Sequence, residues 1–358
     1  MGRNFGKGCD EAMKKIMLFA LMISLLMAGC ATTPLPEEKL PEPTPEITPE
    51  PTKAVEIIEE LLVEELPTSC IEFVGGESFS WPCGIPFGEP GYIAYDMAGN
   101  DVSDLVTVSG YVCCWKTGEY ELEYSFEDVD GERISQTRTV HIEAQGLPET
   151  VEEEKVIYLS FDDGPCENTE TVLEILEKYN AKATFFVLTD RGEYLNILPQ
   201  IKEAGHSIGI HANNHSIEKL YYSERSLFED YMEAQKLLYE YTGEYATISR
   251  FPGGSRTANG YLGHRMPGGM KDIEKRLADM GIRYYDWNAQ IEASKTGSSK
   301  ETYENFCAMV PKQAVPVCLQ HDTRAYSVRA LEEMLQWGTE NGYTFKAMDN
   351  TVPEVHFE

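Results

Sequence analysis

The chain has 358 residues, of which 60 are Asp or Glu and 30 are Lys or Arg, a formal charge of −30. That length exceeds what one hydrophobic core usually serves, so two folded domains plus tails are expected. So acidic a balance excludes nucleic acid and anionic lipid headgroups as partners, because phosphate binding needs a basic surface.

In chain order, Lys14 and Lys15 precede an apolar run from Ile16 to Met27, too short to cross a bilayer comfortably and suited to the core of a signal peptide. The run ends in Leu26-Met27-Ala28-Gly29-Cys30, which resembles a bacterial lipoprotein box with Met27 where Leu is usual. That resemblance implies a lipid anchor at Cys30 and a signal segment over 1–30, with Met13 as a second possible start. An ordinary cleaved signal peptide and an uncleaved anchor are the other readings. Residues 31–66 hold ten Glu and two Lys, and seven prolines fall within 31–52. Such a segment cannot bury a core and reads as an extended acidic tether. Near-helical spacing of apolar residues from Val55 to Leu66 predicts a short helix at its end.

Residues 67–146 read as a small all-β domain. Strands are expected at Ile71–Val74, Tyr92–Tyr95, Val106–Val112, Tyr120–Phe126 and Arg138–Ile142, divided by turns at Gly75-Gly76, Gly99-Asn100, Thr117-Gly118 and Asp130-Gly131. This spacing suits an antiparallel sandwich. Pro90-Gly91-Tyr92, Ala94-Tyr95-Asp96, Gly118-Glu119-Tyr120 and Arg138-Thr139-Val140 resemble bacterial surface Ig-like modules, which implies a spacer or a glycan-binding role. Cys70, Cys83, Cys113 and Cys114 lie here without CxxC spacing, and in an oxidising compartment disulfides are expected. Adjacent Cys113 and Cys114 are expected to pair with Cys70 and Cys83 rather than with each other.

Residues 147–154 form an acidic linker, and from 155 to about 350 strands and helices alternate. Strands are expected at Val156–Phe161, Ala183–Leu188, Ser207–Ile210, Tyr284-Tyr285 and Val315–Leu319. Helices are expected at Asn168–Tyr179, Leu198–Ala204, Ser226–Tyr241 and Lys271–Met280. Alternation of this kind implies a parallel sheet or an α/β barrel, with chemistry at the C-terminal strand ends.

Four strand ends carry reactive residue types. Asp162-Asp163-Gly164-Pro165 places two carboxylates side by side, which repel unless a cation holds them, although the same residues also suit a plain turn. His211 and His215 are four apart, a spacing that lets both grip one ion; two His and one Asp form a common zinc set. Arg250 precedes a Pro252-Gly253-Gly254 turn and can aim a guanidinium at a carboxylate. Val317-Cys318-Leu319-Gln320-His321 delivers a histidine to the end of a strand.

Taken in order, Ser160-Phe161-Asp162-Asp163-Gly164-Pro165, His211 with His215, Arg250-Phe251-Pro252-Gly253-Gly254 and Leu319-Gln320-His321 resemble the polysaccharide deacetylase family (carbohydrate esterase family 4, the NodB-homology domain). The resemblance implies a distorted (β/α) barrel over 155–350, behind the small Ig-like sandwich. It assigns Asp163, His211 and His215 as ligands of one divalent metal, zinc first, with cobalt or nickel as the others. Asp162 becomes the catalytic base, Arg250 the residue that holds it and His321 the general acid. Leu319, Gly253 and Trp287 become the pocket, with the Gly253 backbone N–H as an oxyanion donor. Two departures stand out. Gly253 replaces the family's bulky aromatic, so that wall of the pocket is missing. In Tyr285-Asp286-Trp287-Asn288-Ala289-Gln290-Ile291-Glu292-Ala293, the carboxylate that tunes the acid histidine would fall at Ala293. Glu292, one position short, is the expected substitute, ahead of Asp286.

The implied activity is removal of N-acetyl groups from an amino-sugar polymer, peptidoglycan or chitin-like, by a monomeric protein outside the cytoplasm, lipid-anchored or secreted. An O-acetyl polysaccharide esterase and a catalytically inactive glycan-binding lipoprotein are the competing readings.

Overall fold

In the computed structural model, residues 68–266 and 268–357 are described. The expected signal segment, the Cys30 anchor, the tether and the Val55–Leu66 helix lie outside them. From Thr68 onward the chain belongs to one unit.

The first part is built from β1 (Cys70–Phe73), β2 (Ser78–Pro82), β3 (Tyr92–Tyr95), β4 (Thr107–Gly110), β5 (Gly118–Glu127) and β6 (Arg133–Glu143). Alternation of buried and open positions along the second half of β5 and of β6 (Leu122, Tyr124 and Phe126; Arg138, Val140 and Ile142 inward) turns one face of the sheet to the core. β1 and β3 form a two-stranded sheet facing a four-stranded one in the order β2-β6-β5-β4. The expected all-antiparallel arrangement is corrected at one edge, where β2, absent from the sequence reading, pairs with β6 in parallel. The expected disulfides are not formed. All seven described cysteines are free thiols. Cys70 stands on the two-stranded sheet, whereas Cys83 lies close enough to Cys113 and Cys114 to feel their charge. Burial, then Asp279 and those two thiols, push Cys83 up to about 12.

The second part is a parallel sheet in the order β11-β10-β9-β8-β7-β13-β12. Its strands are β7 (Val156–Asp162), β8 (Thr184–Leu188), β9 (Ser207–Ala212), β10 (Ile248–Ser249), β11 (Arg283–Tyr284), β12 (Ala289–Gln290) and β13 (Val317–His321), with β14 (Thr344–Phe345) against the start of β7. The central strands are covered on both faces, which is why β7, β8 and β13 are buried at every position. The end strands β11 and β12 are not paired with each other, so the sheet curls into an incomplete barrel.

Helices α1 (Thr169–Lys178), α2 (Leu198–Glu203), α3 (Ile217–Leu220), α4 (Glu224–Thr242), α5 (Gly254–Leu262), α6 (Met270–Asp279), α7 (Ser299–Met309) and α8 (Ala325–Glu340) connect the strands. Capping sets several limits. Ser223 accepts the Ser226 N–H at the start of α4, and Gly243 closes that helix at φ 72°. Ser298 accepts the Glu301 N–H ahead of α7.

The two parts interlock. Gln145 donates its backbone N–H to the Asp279 carbonyl and its side-chain amide to the carbonyls of Cys83 and Met280. Trp115 stacks on Phe228 with ring centroids 6.5 Å apart. A Cβ on Gly84 would stand 2.8 Å from the Met280 carbonyl oxygen, so only glycine allows this approach. The acidic linker is also strapped to the barrel, through Val151 N–H to the Thr351 carbonyl and Arg283 to the Pro148 carbonyl.

Candidate active site

β7 ends in Asp162, and the chain turns at Asp163 with φ 70°, a left-handed conformation that non-glycine residues seldom hold. The turn sends the adjacent carboxylates to different partners. Asp162 is buried and accepts from Arg250 Nη1 at 2.9 Å. Asp163 Oδ1 lies 3.5 Å from His211 Nε2 and 3.6 Å from His215 Nε2, and its Oδ2 lies 3.6 Å from His321 Nε2.

One ligand atom from each of Asp163, His211 and His215 falls within 4.8 Å of the other two, so the group could hold a metal ion. Three further observations fit that use. Asp163 Oδ1 is buried with no hydrogen-bond partner. His211 Nδ1 sits 2.8 Å from the Arg250 carbonyl, which can only accept; the proton therefore lies on Nδ1, and Nε2 presents its lone pair to Asp163. Burial lowers His211 to about 3, against the pull of Asp163, so its ring is neutral as a ligand must be. Two imidazoles and a carboxylate form a set that suits a zinc-type ion with open positions, and His215 leaves one side accessible.

Arg250 follows β10 and is wholly buried. Nε donates to the Tyr285 carbonyl and Nη2 to the Asp286 carbonyl, each at 3.0 Å, while Nη1 serves both Ser160 Oγ and Asp162. The guanidinium lies 4.2 Å from the Phe186 ring centre and 5.7 Å from that of Trp287. A planar fork with this many partners fixes the Asp162 oxygen in place.

His321 ends β13, paired in register with Asp162. Its backbone N–H donates to Glu292 Oε1 at 2.7 Å, and its Nδ1 lies 2.8 Å from Glu292 Oε2. Burial disfavours the imidazolium, but the hydrogen bond and charge of Glu292, helped by Asp162, outweigh it and hold His321 above the ordinary histidine range; Arg324 acts in the opposite sense. Arg324 also donates to Glu292 Oε2.

Of the other expected residues, Leu319 is buried on β13, Gly253 caps α5 at φ 74°, and half-buried Trp287 donates to Gln290 Oε1. Ala293 is buried near Glu292 and brings no carboxylate. Asp286 turns away from His321: it accepts the N–H and hydroxyl of Ser255 and the N–H of Phe357. His206 accepts the Ala183 N–H at the opposite end of the sheet and takes no part. Sequence reasoning missed Ser160, Arg324 and Arg191, which donates to the Asp163 carbonyl at 3.1 Å. Only Arg324 had a signal, as a cation three residues beyond His321.

Comparison with known proteins follows the same lines. The profile of the Polysaccharide deacetylase family matches residues 150–263, and that of the bacterial surface protein Ig-like domain matches 71–142. A peptidoglycan-N-acetylglucosamine deacetylase of Bacillus cereus is 37% identical over 214 residues, 57% of this chain and 91% of that protein. The chain belongs to the polysaccharide deacetylase family. A second deacetylase of that name from the same species is 29% identical over 213 residues, 57% of this chain and 72% of its own length. Among solved structures, the catalytic domain of a peptidoglycan N-acetylglucosamine deacetylase from Eubacterium rectale is 35% identical, with a TM-score of 0.55, over 59% of this chain and 96% of that one.

Proposed function

We propose that the protein removes N-acetyl groups from an amino-sugar polysaccharide of the cell wall, releasing acetate outside the cytoplasm. The observation that carries this reading is convergence at one end of the sheet: Asp162 on Arg250, His321 on Glu292, and the Asp163, His211 and His215 group between them. The relatives act on peptidoglycan by name, which favours that polymer.

Asp163, His211 and His215 would hold one divalent ion, zinc first. When bound, it supplies Lewis-acid polarisation of an acyl oxygen and acidifies water. The remaining work falls to this chain. Asp162, aimed by Arg250, takes a proton from the attacking water. The Gly253 backbone N–H, on a turn with no side chain of its own, is the second donor for the developing oxyanion. Imidazolium at His321, oriented through Nδ1 by Glu292, gives its Nε2 proton to the departing sugar nitrogen. Leu319 and Trp287 shape the acetyl-methyl pocket. We assign 155–350, with the segment after it, to catalysis, and the Ig-like part to spacing the barrel from an anchor at Cys30.

The test is acetate release by the protein from N-acetylated chitotetraose, peptidoglycan and O-acetylated xylan, with added zinc and with a chelator. Release from the first two that the chelator abolishes is expected. Release from xylan alone would move the reading to an O-acetyl esterase, and release from none to a glycan-binding protein.

A further inference from the structure

The turn after Arg250 offers no side-chain surface. Gly253 and Gly254 hold φ values of 74° and 80°, where other residues are strained. Surface there comes from elsewhere in the chain. A Cβ on Gly254 would meet the Phe357 ring at 2.6 Å and the Trp287 ring at 3.2 Å. Those rings touch edge to face, with centroids 4.8 Å apart at 83°.

Phe357 is held in place from several directions. Its N–H donates at 2.8 Å to Asp286 Oδ2, and Asp286 Oδ1 accepts the Ser255 N–H, also at 2.8 Å, so one buried carboxylate ties the segment to the start of α5. The preceding residue, His356, stacks on Tyr284 with centroids 3.9 Å apart and planes 3° apart. The Arg256 guanidinium lies 5.1 Å from the Phe357 ring centre. From Phe357 the contacts run through Trp287 to Arg250 and so to Asp162. A half-buried ring in this position is a fixed aromatic plate beside the Gly253-Gly254 turn and Trp287. A pyranose presents a flat face of C–H groups with hydroxyls at its edge, and an aromatic plate that is already immobile takes that face at little cost in conformational entropy.

We propose that Phe357 is a substrate-positioning residue, seating one sugar ring of the glycan beside the turn that carries Gly253. The proposal rests on the deacetylase reading above and adds the segment Pro353–Phe357 to the cleft. The experiment measures acetate release from N-acetylated chitotetraose, binding of the same tetrasaccharide by calorimetry, and thermal melting, for the wild type, Phe357→Ala, Phe357→Leu and Phe357→Tyr. Loss of the plate should raise KM and Kd roughly 3- to 10-fold in Phe357→Ala, the usual worth of an aromatic contact, with a smaller change in kcat. Phe357→Tyr should restore both constants. Phe357→Leu should melt like the wild type yet bind like Phe357→Ala, because it keeps the packing against Trp287 and loses the plate. Unchanged KM and Kd in Phe357→Ala overturn the proposal, and so does full recovery in Phe357→Leu, which would make the ring mere packing. A wild type that releases acetate while Phe357→Ala binds normally sinks this inference alone. A wild type that binds but releases nothing, with binding weakened in Phe357→Ala, sinks only the deacetylase reading.

Discussion

Replacing Arg250 by Met tests the architecture of the site as well as its chemistry. Met has similar reach and no charge, so the change removes four hydrogen bonds, to Ser160, Asp162, Tyr285 and Asp286. Asp162 is left as a buried carboxylate without its partner, since the pair has side-chain exposures of 0% and 4%. Removing one partner of a buried pair typically costs about 3–5 kcal/mol, most of it the burden of the stranded charge. For a domain of this size that is a fall in Tm of roughly 6–20 °C. Neutralising the stranded group should return part of the loss. Asp162→Asn added to Arg250→Met is expected to recover about 1–2 kcal/mol, the carbonyls of Tyr285 and Asp286 remaining unserved. The assay is urea unfolding of the wild type, both single variants and the double variant, with chelator present so that metal loading cannot differ. An Arg250→Met variant within about 1 kcal/mol of the wild type would refute the reasoning. So would a cycle in which Asp162→Asn has the same effect with and without Arg250.

Three further outcomes are expected. His211→Ala should lose both zinc binding, read by calorimetry and elemental analysis, and acetate release; a full equivalent of metal in that variant would contradict the ligand assignment. Asp162→Asn should keep its metal and lose about 10²–10⁴ in turnover, the usual contribution of a positioned base, whereas near-normal turnover would leave Asp162 as a turn residue. Glu292→Gln should move the basic limb of the pH–rate profile to lower pH. A general acid works while protonated, so activity is present below the His321 pKa and fades as pH rises through it. Glu292 raises that pKa, together with Asp162 and against Arg324, and Asp163 also faces the ring. A limb that stays put, or moves upward, would show that Glu292 does not tune His321.

What the sequence made legible was local. Asp162 and Asp163, His211 and His215, and Arg250 with its glycine turn are each clustered within a few residues at a strand end, and long apolar runs marked β7 and β8. The deeply buried strand ending in His321 was legible too, two residues out of register. Elements with no period to read were lost. β10, β12 and β14 are two residues each, too short for any pattern, although they line up the site as surely as the long strands; β11, equally short, was read one residue late at Tyr284-Tyr285. α5 was hidden by the glycines before it and by Gly260 within it. β2 was hidden by Trp81-Pro82 and by a partner about 60 residues away. Pairings over long spans were equally unreadable. Glu292 reaches His321 across 29 residues and Phe357 reaches Asp286 across 71, distances that only the folded sheet closes. The cysteine reading was half legible: Cys83 does come near Cys113 and Cys114, whereas Cys70 stands apart on the two-stranded sheet and all of them are free thiols.

The junction at Gln145 and Gly84 sets how the molecule handles mechanical load. Two hydrogen bonds from Gln145, to the carbonyls of Asp279 and Met280, a glycine pressed against Met280 and a Trp115–Phe228 stack join the Ig-like part to α6 and α4. A hinge would let the front part swing while the barrel stayed still. This joint instead works as a bracket: a pull or a twist delivered at Thr68 is passed on to the barrel as a change of heading. The direction in which the cleft looks is therefore set by whatever orients the Ig-like part, and lengthening residues 147–154 would not free it, since the grip is made upstream of them and again at Pro148 and Val151.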